Sequence, residues 1–219
     1  MNRYELAQKI DHTLLRPNIS LLDIERLCNE AKEFGFYSVC INPYYIPYAK
    51  ELLKDTKVKI CTVIDFPLGA STTSMKVYQV RESLKLGAEE FDMVINIGAL
   101  KDKKRDYLIS EIREVVKAAE GKVVKVIIET CYLTDEEKIY ATEIIKEGGA
   151  HFVKTSTGFG PQGATVQDVR LLKSIAGNDL KVKASGGIRT FEQALEMINA
   201  GADRIGTSSG VSIINGLGK

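Results

Sequence analysis

Tryptophan is absent from this 219-residue chain, and histidine occurs only at His12 and His151. A three-histidine metal centre is therefore excluded, and neither an HxxxH pair nor an EF-hand loop is present. Charge of either sign in excess is also missing: 30 Lys+Arg face 29 Asp+Glu, a net +1. No global field recruits nucleic acid or an anionic membrane. No apolar run reaches the length of a bilayer span, and Met1-Asn2-Arg3-Tyr4-Glu5 does not read as a signal peptide. The four cysteines, Cys28, Cys40, Cys61 and Cys131, are scattered through apolar segments without a CxxC, the pattern of reduced core thiols in a cytoplasmic protein. Low-complexity tracts and linkers are missing too. What remains is 44% hydrophobic and 27% charged residues, enough for one large core.

Periodicity orders that material. Residues 2–8 read as a lead-in helix and Lys9–Leu14 as a first strand. Ser20 caps a helix whose apolar Ile24, Leu27, Cys28 and Ala31 share one face, and Gly35 ends it. Further strands are expected at 36–41, 58–64, 91–96, 122–128, around Lys154, 180–184 and 203–206. Helices are expected between them: 44–54, 73–86, a single one over 103–119, one capped by Thr134 in a Thr-Asp-Glu-Glu capping box, 165–176 and 190–200. A short last helix starts near Ser208. Strand 122–128 is almost wholly apolar, as a strand covered on both faces should be. Eight strands alternating with helices through short connections imply a single-domain α/β chain, residues 1–219, closed as a (β/α)8 TIM barrel with a short N-terminal lead-in helix. An open doubly wound sheet is the competing layout, but no GxGxxG follows the first strand.

In such a barrel the chemistry lies at the C-terminal strand ends. Side-chain alternation sorts the residues there. Asp92 shares a face with Val94 and Asn96, Lys154 with Phe152, and Lys183 with Lys181. Facing inward, Asp92, Lys154 and Lys183 would meet near the mouth. A free lysine, with a pKa of about 10.4, is almost all ammonium near neutrality, whereas attack on a carbonyl needs the neutral amine. A second ammonium at roughly 5 Å in an effective dielectric near 20 repels by about 3 kcal/mol. That corresponds to roughly two pKa units, so Lys183 is expected to make Lys154 reactive while Asp92 holds the trio near net +1. Turns after the seventh and eighth strands, with Gly186, Gly187, Ser208 and Ser209, suit a phosphate group, as does Gly158 after the sixth. Asp11 and Thr13, at the end of the first strand, are candidates to extend the polar network. No metal and no cofactor are expected.

Several of these segments carry a family resemblance. Val153-Lys154-Thr155-Ser156-Thr157-Gly158-Phe159, Lys183-Ala184-Ser185-Gly186-Gly187-Ile188-Arg189-Thr190, Phe91-Asp92-Met93-Val94-Ile95-Asn96 and Asp11-His12-Thr13-Leu14-Leu15 resemble deoxyribose-phosphate aldolases. Lys125-Val126-Ile127-Ile128-Glu129-Thr130 and Gly206-Thr207-Ser208-Ser209 fit as well, and together they span the chain in the right order. The resemblance implies a barrel that reversibly cleaves 2-deoxy-D-ribose 5-phosphate to acetaldehyde and glyceraldehyde 3-phosphate. It implies Lys154 as the Schiff-base residue, with Asp92 and Lys183 as proton donor and acceptor groups, and allows a homodimer or homotetramer. Some members end in a tyrosine thought to join proton transfer. This chain ends Asn215-Gly216-Leu217-Gly218-Lys219, which implies that the role is vacant or filled by water. Cys40 is a candidate thiol for capturing the unsaturated aldehyde that acetaldehyde self-condensation yields. The residues alone leave other readings open: a transaldolase-like Schiff-base enzyme, a phosphosugar isomerase or epimerase using Asp92 as base, or a non-catalytic phosphosugar-binding protein.

Overall fold

The computed structural model describes residues 1–218; Lys219, the last residue of the C-terminal run considered above, lies outside them. After a lead-in helix α1 (Arg3–Ala7) come β1 (Ile10–Leu14), α2 (Leu21–Phe34), β2 (Ser38–Ile41), α3 (Ile46–Leu52), β3 (Lys59–Ile64), α4 (Thr73–Leu86), β4 (Glu90–Val94), α5 (Ile97–Lys101) and α6 (Arg105–Ala118). The second half holds β5 (Val123–Ile127), α7 (Asp135–Glu147), β6 (Phe152–Lys154), α8 (Val166–Ala176), β7 (Lys181–Ser185), α9 (Phe191–Asn199), β8 (Arg204–Thr207) and α10 (Gly210–Gly216). The eight strands pair in parallel, each with its sequence neighbours, and β8 closes on β1.

Local chemistry explains the helix boundaries. Ser20 and Asp23 form a reciprocal capping box at the start of α2, Thr134 and Glu137 do so at α7, and Thr190 and Gln193 at α9. The expected helix over 103–119 is α6, and a short helix outside that expectation, α5, precedes it. β4 ends at Val94, two residues short of expectation, and the Asn96 side chain accepts the Ala99 N–H at 2.9 Å to cap α5. Lys103, at a left-handed φ of 55°, then separates α5 from α6. The last helix, expected near Ser208, begins at Gly210.

Two environments divide the strand residues. The large apolar cluster, including Ile24, Leu27, Ile112, Val124, Val153 and Val182, fills the layer between the outer strand faces and the helices. The bore of the barrel is different: Asp11, Ser38, Cys40, Glu90, Asp92, Lys125, Lys154, Lys183 and Arg204 all point there and are buried. Interiors of such barrels are commonly stacked with branched apolar side chains. A charged bore demands near-complete ion pairing, because burying an unpaired charge costs several kcal/mol. The fifth strand is almost wholly apolar as expected, and its one interior lysine, Lys125, turns into this bore and is fully buried.

Candidate active site

Strand register sets the geometry. Asp92 lies level with Lys125, Lys154 with Lys183, and Lys183 with Arg204. On the far side of the closure, Asp11 is level with Gly206. The three acidic and four basic side chains therefore meet along one axis.

Asp92 is the hub. Its Oδ2 accepts from Lys154 Nζ and from Lys183 Nζ, both at 2.8 Å, and its Oδ1 accepts from Lys125 Nζ at 2.9 Å. Lys183 also donates to Asp11 Oδ2 at 2.6 Å, and Asp11 Oδ1 accepts from Arg204 Nη1 and Ser38 Oγ, both at 2.7 Å. Lys125 pairs with Glu90 at 2.6 Å. Three carboxylates against four cations leave one positive charge in excess, the same balance as expected for Asp92, Lys154 and Lys183 alone. Lys125, Glu90 and Arg204 were not among the candidate residues. The alternation that marks Asp92 marks all three, since each lies in register with, or two residues from, a residue of the trio.

Protonation follows from these contacts. Burial opposes the charged form of Asp92, but the ammonium groups of Lys125, Lys154 and Lys183 outweigh it and hold the carboxyl well below the usual range. Burial likewise opposes charge on Asp11, and Lys183, Arg204 and Lys125 overcome it, so its carboxyl is lowered too. For Lys183, burial disfavours the ammonium, yet Asp11 and Asp92 raise its pKa above the ordinary lysine value. Carboxyls depressed in the fold contribute stability that is complete above the unfolded value near 3.9 and is lost as pH falls below it. Denaturant midpoints are therefore expected to hold steady down to about pH 4 as far as these groups act, then fall. Asn at Asp92 and Asp11 should remove most of that acid slope.

Above this network opens a cavity of about 600 Å³ at the C-terminal ends of the strands. Lys154 lines it and is the one lysine among the described residues to do so. Asp92 and Lys183 have no exposed surface, and Lys154 keeps 2%. The three thus meet, but beneath the mouth rather than at it, with Lys154 alone forming the floor. Gly158, Gly186, Gly187 and Ser208 line the wall, as does Arg189. Ser209 does not: it stands behind Ser208 with its N–H donated to Thr207 Oγ1 at 2.9 Å. Asp11 joins the charge network as anticipated. Thr13 reaches the cavity but not the carboxylates, since its hydroxyl donates to the Asp11 carbonyl at 2.8 Å.

Two glycines make room. Gly186 adopts a left-handed φ of 87°, and a Cβ there would stand 2.9 Å from Gly163 Cα. A Cβ on Gly206 would come within 2.9 Å of Lys183 Cε, so this glycine leaves space for the lysine stem. The loop after β6 is pinned by Glu129, which accepts the Thr157 N–H at 3.2 Å and its hydroxyl. That loop carries Phe159, packed edge-on against Phe66 at 5.3 Å. Cys40 is fully buried in the bore beside Cys61 and does not line the cavity. Cys40, Cys61 and Asp92 present two sulfurs and an oxygen within 4.8 Å of one another. Lys125 Nζ lies 2.9 Å from Asp92 and 3.4 Å from Cys61, a fixed positive charge that opposes a cation there.

Residues 6–216 match the model of the DeoC/LacD family aldolases. The chain is 60% identical over 217 residues to the deoxyribose-phosphate aldolase of Carboxydothermus hydrogenoformans, covering 97% of this chain and 95% of the relative. It is 59% identical over 220 residues to that of Thermococcus kodakarensis, covering 99% and 98%. The tetrameric deoxyribose phosphate aldolase from Aeropyrum pernix superposes with a TM-score of 0.89 at 36% identity, over 96% of this chain and 89% of that one.

Proposed function

The chain belongs to the DeoC/LacD family of aldolases, and from that premise we propose that it cleaves 2-deoxy-D-ribose 5-phosphate reversibly to acetaldehyde and D-glyceraldehyde 3-phosphate through a Schiff base on Lys154. One observation carries the reading: Lys154 brings a single nitrogen to the cavity floor, backed by the Asp92 carboxylate at 2.8 Å. A carbonyl carbon entering the cavity meets that nitrogen and no other lysine among the described residues.

The neutral amine of Lys154 adds to C1 of the open-chain sugar, and loss of water gives an iminium. The C3 hydroxyl then loses its proton to a water at the cavity floor, with Asp92 and Lys183 acting from beneath through their contacts to Lys154 and to each other. As the C2–C3 bond breaks, its electron pair flows into the iminium, leaving an enamine, and glyceraldehyde 3-phosphate departs. Protonation of the enamine carbon and hydrolysis of the regenerated iminium release acetaldehyde. Lys183 is suited to remain charged, because two carboxylates grip it where Lys154 has one. Asp92, held ionised, can accept and return a proton at the Lys154 nitrogen. Gly158, Gly186, Gly187 and Ser208, with Arg189, offer the wall on which the phosphate would rest. The relative from Aeropyrum pernix is a tetramer, and we place this chain in a homodimer or homotetramer.

Incubation with acetaldehyde and borohydride, followed by peptide mass spectrometry, tests the assignment. A reduced ethyl adduct confined to Lys154 is expected. A protein that turns over substrate yet shows no adduct, or one on another lysine, would end this reading.

A further inference from the structure

A second cavity, of about 430 Å³, opens at the opposite, N-terminal end of the barrel. Its floor is the ring of Phe152, the first residue of β6. Lys181 of β7 places Nζ 5.7 Å from that ring's centre, and Arg204 of β8 places Cζ 5.5 Å from it. Lys9 is held beside them, its carbonyl accepting the Ile205 N–H at 2.7 Å. Three cations at the starts of the neighbouring strands β7, β8 and β1 therefore converge on one hollow.

Their pairing is uneven. Arg204, only 7% exposed, commits Nη1 to Asp11 and Glu90 inside the bore, while Nε and Nη2 have no acceptor among the described residues. Neither Lys9 nor Lys181 has an ion-pair partner among them. The two carboxylates of the hollow are engaged elsewhere: Glu5 accepts the Asn2 N–H at 2.8 Å, and Asp203 accepts the Val182 N–H at 2.9 Å and pairs with Lys173. Each acid is engaged through one oxygen, Glu5 by Oε2 and Asp203 by Oδ2, and three bases face these two acids. A guanidinium stacked on the Tyr37 ring at 3.5 Å, with two donor nitrogens free at its edge and the Lys181 ammonium over the same Phe152 ring, has the geometry that binds an oxyanion in bidentate fashion, and Lys9 lines the same hollow. The volume fits a small molecule rather than a polypeptide.

We propose that this hollow is a binding site for a small phosphate-bearing anion, separate from the catalytic cavity. It is wired to that cavity by ion pairs: Arg204 to Asp11 at 2.7 Å, Asp11 to Lys183 at 2.6 Å, and Lys183 to Asp92 at 2.8 Å. An anion bridging Arg204 and Lys181 adds negative charge to one end of the chain of contacts that holds Lys154 at the other.

Lysine acetylation, followed by mass spectrometry on the full-length protein, reads the site without requiring turnover. Inorganic phosphate, against chloride at equal ionic strength, is expected to slow acetylation of Lys9 and Lys181 by about threefold or more at two-thirds occupancy. Exposed Lys57 should be unaffected. In Lys181→Gln, whose altered side chain lies outside the catalytic cavity, phosphate should protect Lys9 markedly less. Uniform slowing of all three lysines, no slowing, or undiminished protection of Lys9 in Lys181→Gln would overturn the proposal. Each result stands whether or not Lys154 forms a Schiff base.

Discussion

Lys154→Ala is expected to cut turnover by at least about four orders of magnitude while the barrel stays folded. Removing a covalent nucleophile removes the electron sink on which carbon–carbon cleavage depends. No neighbour can substitute, because Lys125 and Lys183 are sealed beneath the floor, each fully buried. The fold should survive for an equally local reason. Asp92 keeps Lys125 at 2.9 Å and Lys183 at 2.8 Å, so no carboxylate is left bare. Alanine leaves a gap open to the cavity, where water can enter. Steady-state rates with 2-deoxyribose 5-phosphate and a thermal melt check the two halves. Activity above about a hundredth of the parent's would rule out Lys154 as the covalent residue.

The second large effect is expected from Lys183→Leu, and it falls on stability and activity together. Leucine would remove the ammonium that bridges Asp11 and Asp92, both fully buried, leaving Asp11 to Arg204 and Ser38 and Asp92 to Lys125 and Lys154. Breaking one partner of a buried pair costs about 3–5 kcal/mol, and here two carboxylates lose a contact. In the fraction that folds, the reaction should slow and the acidic limb of its rate profile should move to higher pH. The positive charge beside Lys154 is gone, and protons leave the amine less readily. Urea midpoints and a kcat profile separate the two effects. An unchanged acidic limb would mean that Lys183 acts on proton transfer alone and not on the readiness of the amine.

The legibility of this protein divides along the range of the forces involved. Thr134, Thr190 and Ser20 announce helix starts because capping is satisfied within four residues. Strand alternation identifies Asp92, Lys154 and Lys183 as one set, since a strand's facing is a local property. Lys125 obeyed the same alternation but was absorbed into an apolar run. Only its partner Asp92, in register on the neighbouring strand, reveals why a lysine sits there. Asn96 reads as the end of a strand from sequence, because its cap on α5 depends on where β4 stops.

By itself the sequence determined the order and spacing of the eight βα units, the shared inward facing of Asp92, Lys154 and Lys183 and the glycines of the turns, all products of short-range sterics and periodicity. Tertiary structure decided what those charges do. Closure of β8 on β1 brought Arg204 and Lys183, near the chain's end, onto Asp11 near its beginning. It also sank Asp92 and Lys183 below the floor, left Lys154 as the one lysine of the described residues facing the cavity, and moved Ser209 out of the wall. Ion pairing and exclusion of solvent depend on distance in space, and chain order sets that distance only once the cylinder has closed.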